Sequence, residues 1–351
     1  MYGTTQGTYV PRRVKHRRVH VGRIVLGCLL IIMVTVAGAG LGLASKFGRA
    51  FEKTSTIASA FPDEEDRPVK DPGDTSMNIL LLGADGGPGK GKRAAIDPNA
   101  TATDRRSDSM MLVHIPESRD KVYVISLMRD TWITIPGHGE AKLNAAMANG
   151  GVPLLIQTLE ERLDTRIDHV AIIDFQGFRD LTTAIGGVTV DNEYDFIAHD
   201  TDYHYPKGKI HIDGDKALRF VRERKSFPDG DYQRVRNQQK FLKAVFGKVL
   251  SAETLSNPAK LFKVVDSIAP YISMDEEFSD PSLLTGLGLQ MKNVRASDIV
   301  SFTLPTAGTG TSLDGQSIVL PDQAAIDALA EALRNDTVAD YYAALPEDKK
   351  K

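Results

Sequence analysis

The chain has 351 residues, 42% of them apolar and 25% charged, the proportions of an ordinary globular protein rather than a disordered or fibrous one. Its net charge of −3 argues against a nucleic-acid binder, which needs a basic excess to neutralise phosphates. The single cysteine, Cys28, excludes an internal disulfide framework and any zinc site built from several cysteines.

The charge is unevenly spread. Arg12, Arg13, Lys15, Arg17, Arg18 and Arg23 crowd the start, and no Asp or Glu precedes Glu52. Between them, Ile24 to Ala44 carries no charge, and a helix of that length spans roughly 30 Å, the hydrocarbon thickness of a bilayer. The expectation is a basic cytoplasmic tail (1–23) and a single N-terminal transmembrane helix (24–44). The positive-inside rule then places the rest of the chain outside the cell membrane. A cleaved signal peptide has a shorter apolar core. A lipoprotein-type site at Gly27-Cys28 would have only three apolar residues before it. Residues 45–75 hold Pro62, Pro68, Pro72 and the acidic run Asp63 to Asp66, which predicts an extracytoplasmic linker.

After the linker, Asn78 to Leu82 is a short, mostly apolar run ending at Gly83, the pattern of a strand buried on both faces. Met110 to Ile115 and Val122 to Leu127 predict two more strands joined by a polar turn over 116–120. Pro153 opens a predicted helix with Leu155, Leu159 and Leu163 on one face. Val170 to Ile173 reads as a strand, and Phe175 to Ile185 as a helix closed by Gly186-Gly187. Helices over Asp231–Ser251 and Asp322–Arg334, the latter capped by its aspartate, flank a strand over Val300–Leu304. Strands interleaved with helices predict an α/β fold: a layered α-β-α domain around a central mixed sheet, covering 76–340 and followed by a charged tail, 341–351.

Several motifs lead nowhere on inspection. Gly86 to Arg93 nearly spells a phosphate-binding GxxxxGK[ST] loop, but Arg93 replaces the hydroxyl that would reach Mg²⁺. His199, Asp200, Asp202, His204 and His211 crowd a polar stretch that reads as a solvated loop, because metal ligands need fixed geometry. Gly310 to Asp314 falls one glycine short of a hydrolase nucleophile elbow. Leu242, Val245, Phe246 and Val249, with Leu261 and Phe262 nearby, have the spacing of a core stripe or of an apolar groove.

The informative pattern is arginine and aspartate just beyond apolar strands. Asp85 follows the first strand, Arg106 and Asp108 lead into the second, and Arg129 and Asp130 close the third. Arg222, Arg224, Arg234 and Gln238 come later. Such positions converge where an α/β sheet binds ligand. Arginine forks match phosphate oxygens and keep their charge, which suits a pyrophosphate. Arg234 and Gln238 are spaced i, i+4 and share one helical face. Aspartates beside phosphate suit Mg²⁺, which takes one or two carboxylates plus ligand oxygens. Isolated surface ion pairs are the bland alternative.

Taken in order, these segments resemble the LytR-CpsA-Psr family of bacterial envelope proteins. Leu80 to Asp85 matches its LLLGxD, Arg106 to Ser109 its RSD-Ser/Thr, and Arg129 to Thr131 its RDT. Lys142 to Ala146, Asp213 to Arg224 and Phe227 to Gln239 are similar to its KINAA, DGxxALxxxRxR and FxxGDxxRxxxQQ segments. Asn237 stands where many members have arginine, and Met128 where many have proline. The resemblance implies a membrane-anchored phosphotransferase. Such an enzyme moves an anionic glycopolymer (teichoic acid, capsule or arabinogalactan) from a polyprenyl-pyrophosphate lipid to peptidoglycan, forming a phosphodiester at the C6 hydroxyl of N-acetylmuramic acid. It further implies that Asp85 and Asp108 hold Mg²⁺, or Mn²⁺ in its place. Arg106, Arg129, Arg222, Arg224, Arg234 and Gln238 would surround the pyrophosphate. Asp130 would orient Arg129 or serve as base on the acceptor hydroxyl. Two other readings use the same residues: a lipid pyrophosphatase with water as acceptor, and a non-catalytic polyprenyl-phosphate-binding regulator.

Overall fold

The computed structural model of the protein describes residues 53–84, 107–199, 201–228, 230–249, 257–346 and 350. The apolar runs become one seven-stranded sheet. Its strands are β1 (Ser55–Thr56), β2 (Met77–Ala84), β3 (Ser107–Ile115), β4 (Val122–Leu127), β5 (His169–Asp174), β6 (Ile272–Met274) and β7 (Ile299–Thr303). They lie in the order β1-β6-β5-β2-β3-β4-β7. The pairs β2–β3, β3–β4 and β5–β6 are antiparallel, whereas β1–β6, β2–β5 and β4–β7 are parallel. The sheet is therefore mixed, as expected.

Every residue of β4 is buried, which requires cover on both faces of the sheet. Among the described residues the helices are α1 (Leu143–Leu163), α2 (Phe175–Ala184), α3 (Gly214–Arg222), α4 (Asp231–Val249), α5 (Pro258–Ile268), α6 (Pro281–Gln290), α7 (Gln323–Arg334) and α8 (Val338–Ala344). In one set α2 packs on α3 and α5, and α3 on α4; in another, α7 packs on α1 and α8. The predicted aspartate cap is present, with Asp322 accepting from Ala325 N at 3.3 Å. Gly186 and Gly187 close α2 at φ of 74° and 72°, a backbone region open to glycine at little cost.

The structure corrects several boundaries. Helix α1 begins at Leu143 rather than Pro153, and it kinks at Gly151, where φ is 70°. Pro153 starts the second piece, where its missing N–H leaves no bond unmade. The predicted linker is not a free spacer from Ser55 onward. β1 pairs with β6, Ile57 N donates to Met274 O at 2.7 Å, and Ile57 and Ala60 are buried. Tyr341 and Tyr342 of α8 pack their rings toward Phe302 at 6.1 and 5.6 Å, so the tail begins only after Ala344. The stretch read as a solvated loop forms two ribbons, Val188–Asn192 with Gly208–Ile212 and Phe196–Ile197 with His204–Tyr205. Phe196 and Tyr205 of the second ribbon pack ring against ring with each other and with Phe220 and Phe227. Leu242 and Val245 are core residues, with Phe262 half-buried against them. The basic tail, the expected transmembrane helix and the Gly86–Arg93 loop lie outside the described residues. Among the described residues no helix is long and apolar enough to cross a membrane.

An ion pair and a histidine–carboxylate hydrogen bond are two of the contacts that join distant parts of the chain. Arg67 donates through Nη2 to Glu160 Oε1 at 2.7 Å and to Ile167 O at 2.6 Å, and its guanidinium lies 4.5 Å from the centre of the Phe61 ring. Glu160 Oε1 also accepts from Ile167 N at 2.8 Å. Both side chains are almost wholly buried, so losing one partner leaves the other charge unmatched. We therefore expect Arg67→Ala to destabilise the fold by about 3–5 kcal/mol, measured by urea unfolding. A chain begun at residue 76 should show a loss at least as large.

The second contact spans the β3–β4 hairpin and the α7–α8 turn. His114 lies between Asn78 Oδ1 at Nδ1 and Asp336 Oδ1 at Nε2, both at 2.9 Å. Asp336 Oδ2 accepts from Glu117 N at 3.0 Å. Burial pushes the Asp336 carboxyl up, but the hydrogen bonds from His114 and the Glu117 amide hold it below its ordinary value. A depressed carboxylate stabilises the fold above the ordinary carboxylate range, and that contribution is lost as pH falls below it. Asp336→Asn should cost about 1–3 kcal/mol at neutral pH. The gap between variant and wild type should close below about pH 4, as thermal unfolding at several pH values would show.

Candidate active site

The strand register brings the charged segments to one end of the sheet. Leu82 pairs with Met110, and Met110 with Leu127, so β2 and β4 end at the level where β3 begins. Here the β2–β3 ladder is bulged: Gly83 pairs with Ser109 and Ala84 with Ser107, leaving Asp108 between the two pairs. Bulges of this kind re-aim a side chain and are common beside active sites. Asp85 follows Ala84 directly in sequence. Asp85 and Arg106 lie outside the described residues.

Just past β4, Thr131 N donates to Met128 O at 3.0 Å and closes a turn over the buried Met128. Asn144 N donates to Arg129 O at 3.0 Å, and Leu143 N to Thr131 O at 2.8 Å. The Lys142–Ala146 segment is thereby clipped to the Arg129–Thr131 segment. Asp130 stands between two cations, with Oδ2 at 3.4 Å from Arg129 Nε and Oδ1 at 3.3 Å from Lys142 Nζ. All three side chains are largely but not wholly buried. A carboxylate with an oxygen committed to each cation orients both of them. Val319 N donates to Asp130 O at 2.9 Å and secures the same turn from the other side.

Arg222 ends α3, and Arg224 follows it by one buried residue, Glu223. Glu223 Oε1 accepts from the amides of Arg224, Lys225 and Ser226 at 2.9, 2.7 and 3.0 Å. Its Oε2 accepts from His199 N at 2.7 Å. Four backbone donors on one carboxylate fix the turn that presents both arginines. In sequence Glu223 reads as an ordinary charge between two arginines. Only its burial shows that it serves the backbone.

The start of α4 reaches the same end of the sheet. Tyr232 Oη lies 3.3 Å from Thr306 Oγ1, and Leu304 N donates to Ser126 O, near the end of β4, at 2.9 Å. Arg234, two residues on, is fully buried, and arginine stays charged. Gln238 donates Nε2 to Val221 O at 3.1 Å, so its amide ties the end of α3 to α4, next to Arg222. Asn237 is buried and accepts from Gln233 Nε2 at 2.9 Å. Gln233 also accepts from Arg236 Nε at 2.9 Å, a cross-link that sequence reasoning did not single out.

The histidine-rich stretch serves other contacts. His204 pairs with Asp195 at 2.9 Å, and His211 lies 3.4 Å from Thr189 Oγ1. Among the described residues no group of three or more His, Cys, Asp and Glu side chains converges as metal ligands would.

Comparison with known proteins bears on the family and the fold. A family model described as the LytR_cpsA_psr family matches residues 45–335. The chain is 31% identical over 256 residues to a polyisoprenyl-teichoic acid–peptidoglycan teichoic acid transferase, TagU, of Enterococcus faecalis, covering 72% of this chain and 79% of that one. It is 29% identical over 295 residues to the corresponding transferase TagT of Bacillus subtilis, covering 82% and 87%. A solved structure described as TagT bound to LI-WTA superposes with a TM-score of 0.60 at 26% identity, over 79% of this chain and 99% of that one. On the strength of that model and these relatives, the chain belongs to the LytR-CpsA-Psr family.

Proposed function

We propose that the protein is a phosphotransferase that moves an anionic glycopolymer from a polyprenyl-pyrophosphate carrier to peptidoglycan. The observation that carries this reading is Arg129 held by Asp130, which Lys142 also pairs, at the sheet end set by the register of β2, β3 and β4. Arg222 and Arg224 on the Glu223 turn and Arg234 on α4 are assigned to the same site. Relatives named as teichoic acid transferases support it. The uncharged run Ile24–Ala44 behind a basic tail supports a single-pass anchor with the catalytic domain outside the cell membrane.

Phosphoryl transfer depends on positioning and on neutralising charge at the phosphate oxygens. The arginines bind the pyrophosphate through planar forks that match its oxygens. Asp130 and Lys142 hold Arg129 in orientation, Glu223 holds the turn between Arg222 and Arg224, and Gln238 anchors the end of α3. An acceptor hydroxyl oxygen attacks the polymer-side phosphorus, the bond to the bridging oxygen breaks, and polyprenyl monophosphate leaves. The hydroxyl proton passes to solvent or to a base. Asp85 and Asp108 would hold Mg²⁺, whose charge, when bound, neutralises phosphate oxygens.

Removing a donor that acts on the transition state costs on the order of 2–4 kcal/mol, so Arg129→Ala should slow turnover by about 30- to 1,000-fold. Arg129→Lys should recover only part of it, because the ammonium keeps the charge and loses the fork. The assay follows polyprenyl phosphate release from a defined lipid-linked donor in the presence of peptidoglycan oligomers. Turnover of Arg129→Ala within a few-fold of wild type would refute the assignment. Release that does not depend on the acceptor would indicate a pyrophosphatase.

A further inference from the structure

A cleft of about 630 Å³ opens between α4, the end of β7 and the start of α7. Glu193, Tyr194, Tyr232, Arg236, Thr306 and Asp322 are among its lining residues, and no role above accounts for the cleft itself. Its position is informative. Thr131 bridges to Val319, whose amide bonds to Asp130 O at 2.9 Å. Asp322 lies three residues further along that segment, about 10 Å away in extended chain. The cleft therefore begins within a short reach of the Arg129–Asp130 turn.

Helix α4 forms one wall of the cleft. Tyr232 and Arg236 are four residues apart and share one face; Arg234 and Gln238 share another, displaced by about 200° around the axis. Buried Gln233 fixes the cleft side by accepting from Arg236 Nε at 2.9 Å and donating to Glu193 Oε2 at 3.3 Å. Lys240 bonds Glu193 Oε1 at 2.6 Å and holds that carboxyl below its usual range, so it remains an acceptor. Tyr194 is 42% exposed and leans on Phe227 at 5.6 Å between ring centres.

Exposed tyrosine rings offer flat apolar faces to the C–H surface of a sugar, and a fixed carboxylate accepts from sugar hydroxyls. A guanidinium beside them matches a carboxylate on the ligand. Muramic acid, with its lactyl acid or attached peptide, carries all three features. We propose that this cleft is the acceptor subsite, holding a stretch of peptidoglycan glycan so that a muramic acid hydroxyl faces Arg129. The assignment of a glycan acceptor rests on the transferase reading, whereas its location rests on the cleft.

The test uses the full chain in detergent micelles with a soluble N-acetylglucosamine–N-acetylmuramic acid oligosaccharide. Tyr194→Ala and Arg236→Gln should raise the acceptor KM by about tenfold or more, equivalent to roughly 1.4 kcal/mol, with the donor KM unchanged. Tyr194→Phe, which keeps the ring, should stay near wild type. Without donor, saturation-transfer NMR should show the oligosaccharide contacting wild type and losing that contact in the first two variants. Unchanged acceptor KM, or NMR contacts that persist in those variants, would overturn the placement. So would an oligosaccharide that never contacts wild type. If wild type transfers nothing but the contacts still depend on Tyr194 and Arg236, the transferase reading falls and the glycan subsite stands.

Discussion

A sheet buried on both faces can carry charge only where its strands stop, and the rest of this molecule follows from that constraint. β4 has no exposed residue, and Ile79 to Leu82 of β2 are equally buried. Inside such a sheet an unpaired charge costs several kcal/mol. Arg129, Asp130 and Asp108 therefore stand at strand ends, and the antiparallel register of β2, β3 and β4 makes those ends coincide. The two helices that bring the remaining arginines, α3 and α4, are linked to each other by the Gln238–Val221 bond and to the sheet end through Tyr232 and Thr306.

Buried carboxylates repeatedly act on backbone and framework rather than on a ligand. Glu223 gathers four amides around the arginine turn. Asp275 accepts from Val170 N at 2.8 Å and Phe278 N at 2.9 Å, joining β5 to the segment after β6. Glu160 ties the stretch before β2 to the end of α1 through Arg67 and Ile167. Each is a charge whose desolvation is offset by several donors. Rigid loops are what an enzyme needs when catalysis consists of holding charges in place.

Much of this was legible in the residues, for physical reasons. Continuous apolar runs such as Asn78–Leu82 and Val122–Leu127 have no surface face to spare, so they read as central strands. Asp322 ahead of an amphipathic run announced the cap of α7. The strand-end arginines were visible because arginine clusters beside apolar strands have few structural uses. What was hidden depends on tertiary contact. Proline and acid between 62 and 72 suggested a spacer, yet Ile57 bonds to Met274 of β6, Ala60 is buried, and Arg67 pairs with Glu160 of α1, 93 residues away. The kink at Gly151 let a helix start ten residues before the proline that seemed to open it. Gln233 and Glu223 look like surface residues in sequence, and Gln238 looks like a ligand-binding one. Only packing reveals that all three brace their neighbours. Leu242 and Val245 had the spacing of either core or groove, and burial decides for core.

The central claim is that the protein joins two molecules at a phosphorus atom held by strand-end arginines. The most direct measurement runs the wild-type reaction, with lipid-linked glycopolymer and peptidoglycan oligomers, in water enriched in heavy oxygen, and analyses both products by mass spectrometry. Attack by the acceptor hydroxyl predicts a phosphodiester between polymer and glycan, with heavy oxygen in neither that linkage nor the released polyprenyl phosphate. Heavy oxygen in a terminal phosphomonoester, with no polymer on the glycan, would mean that water is the acceptor and would contradict the account.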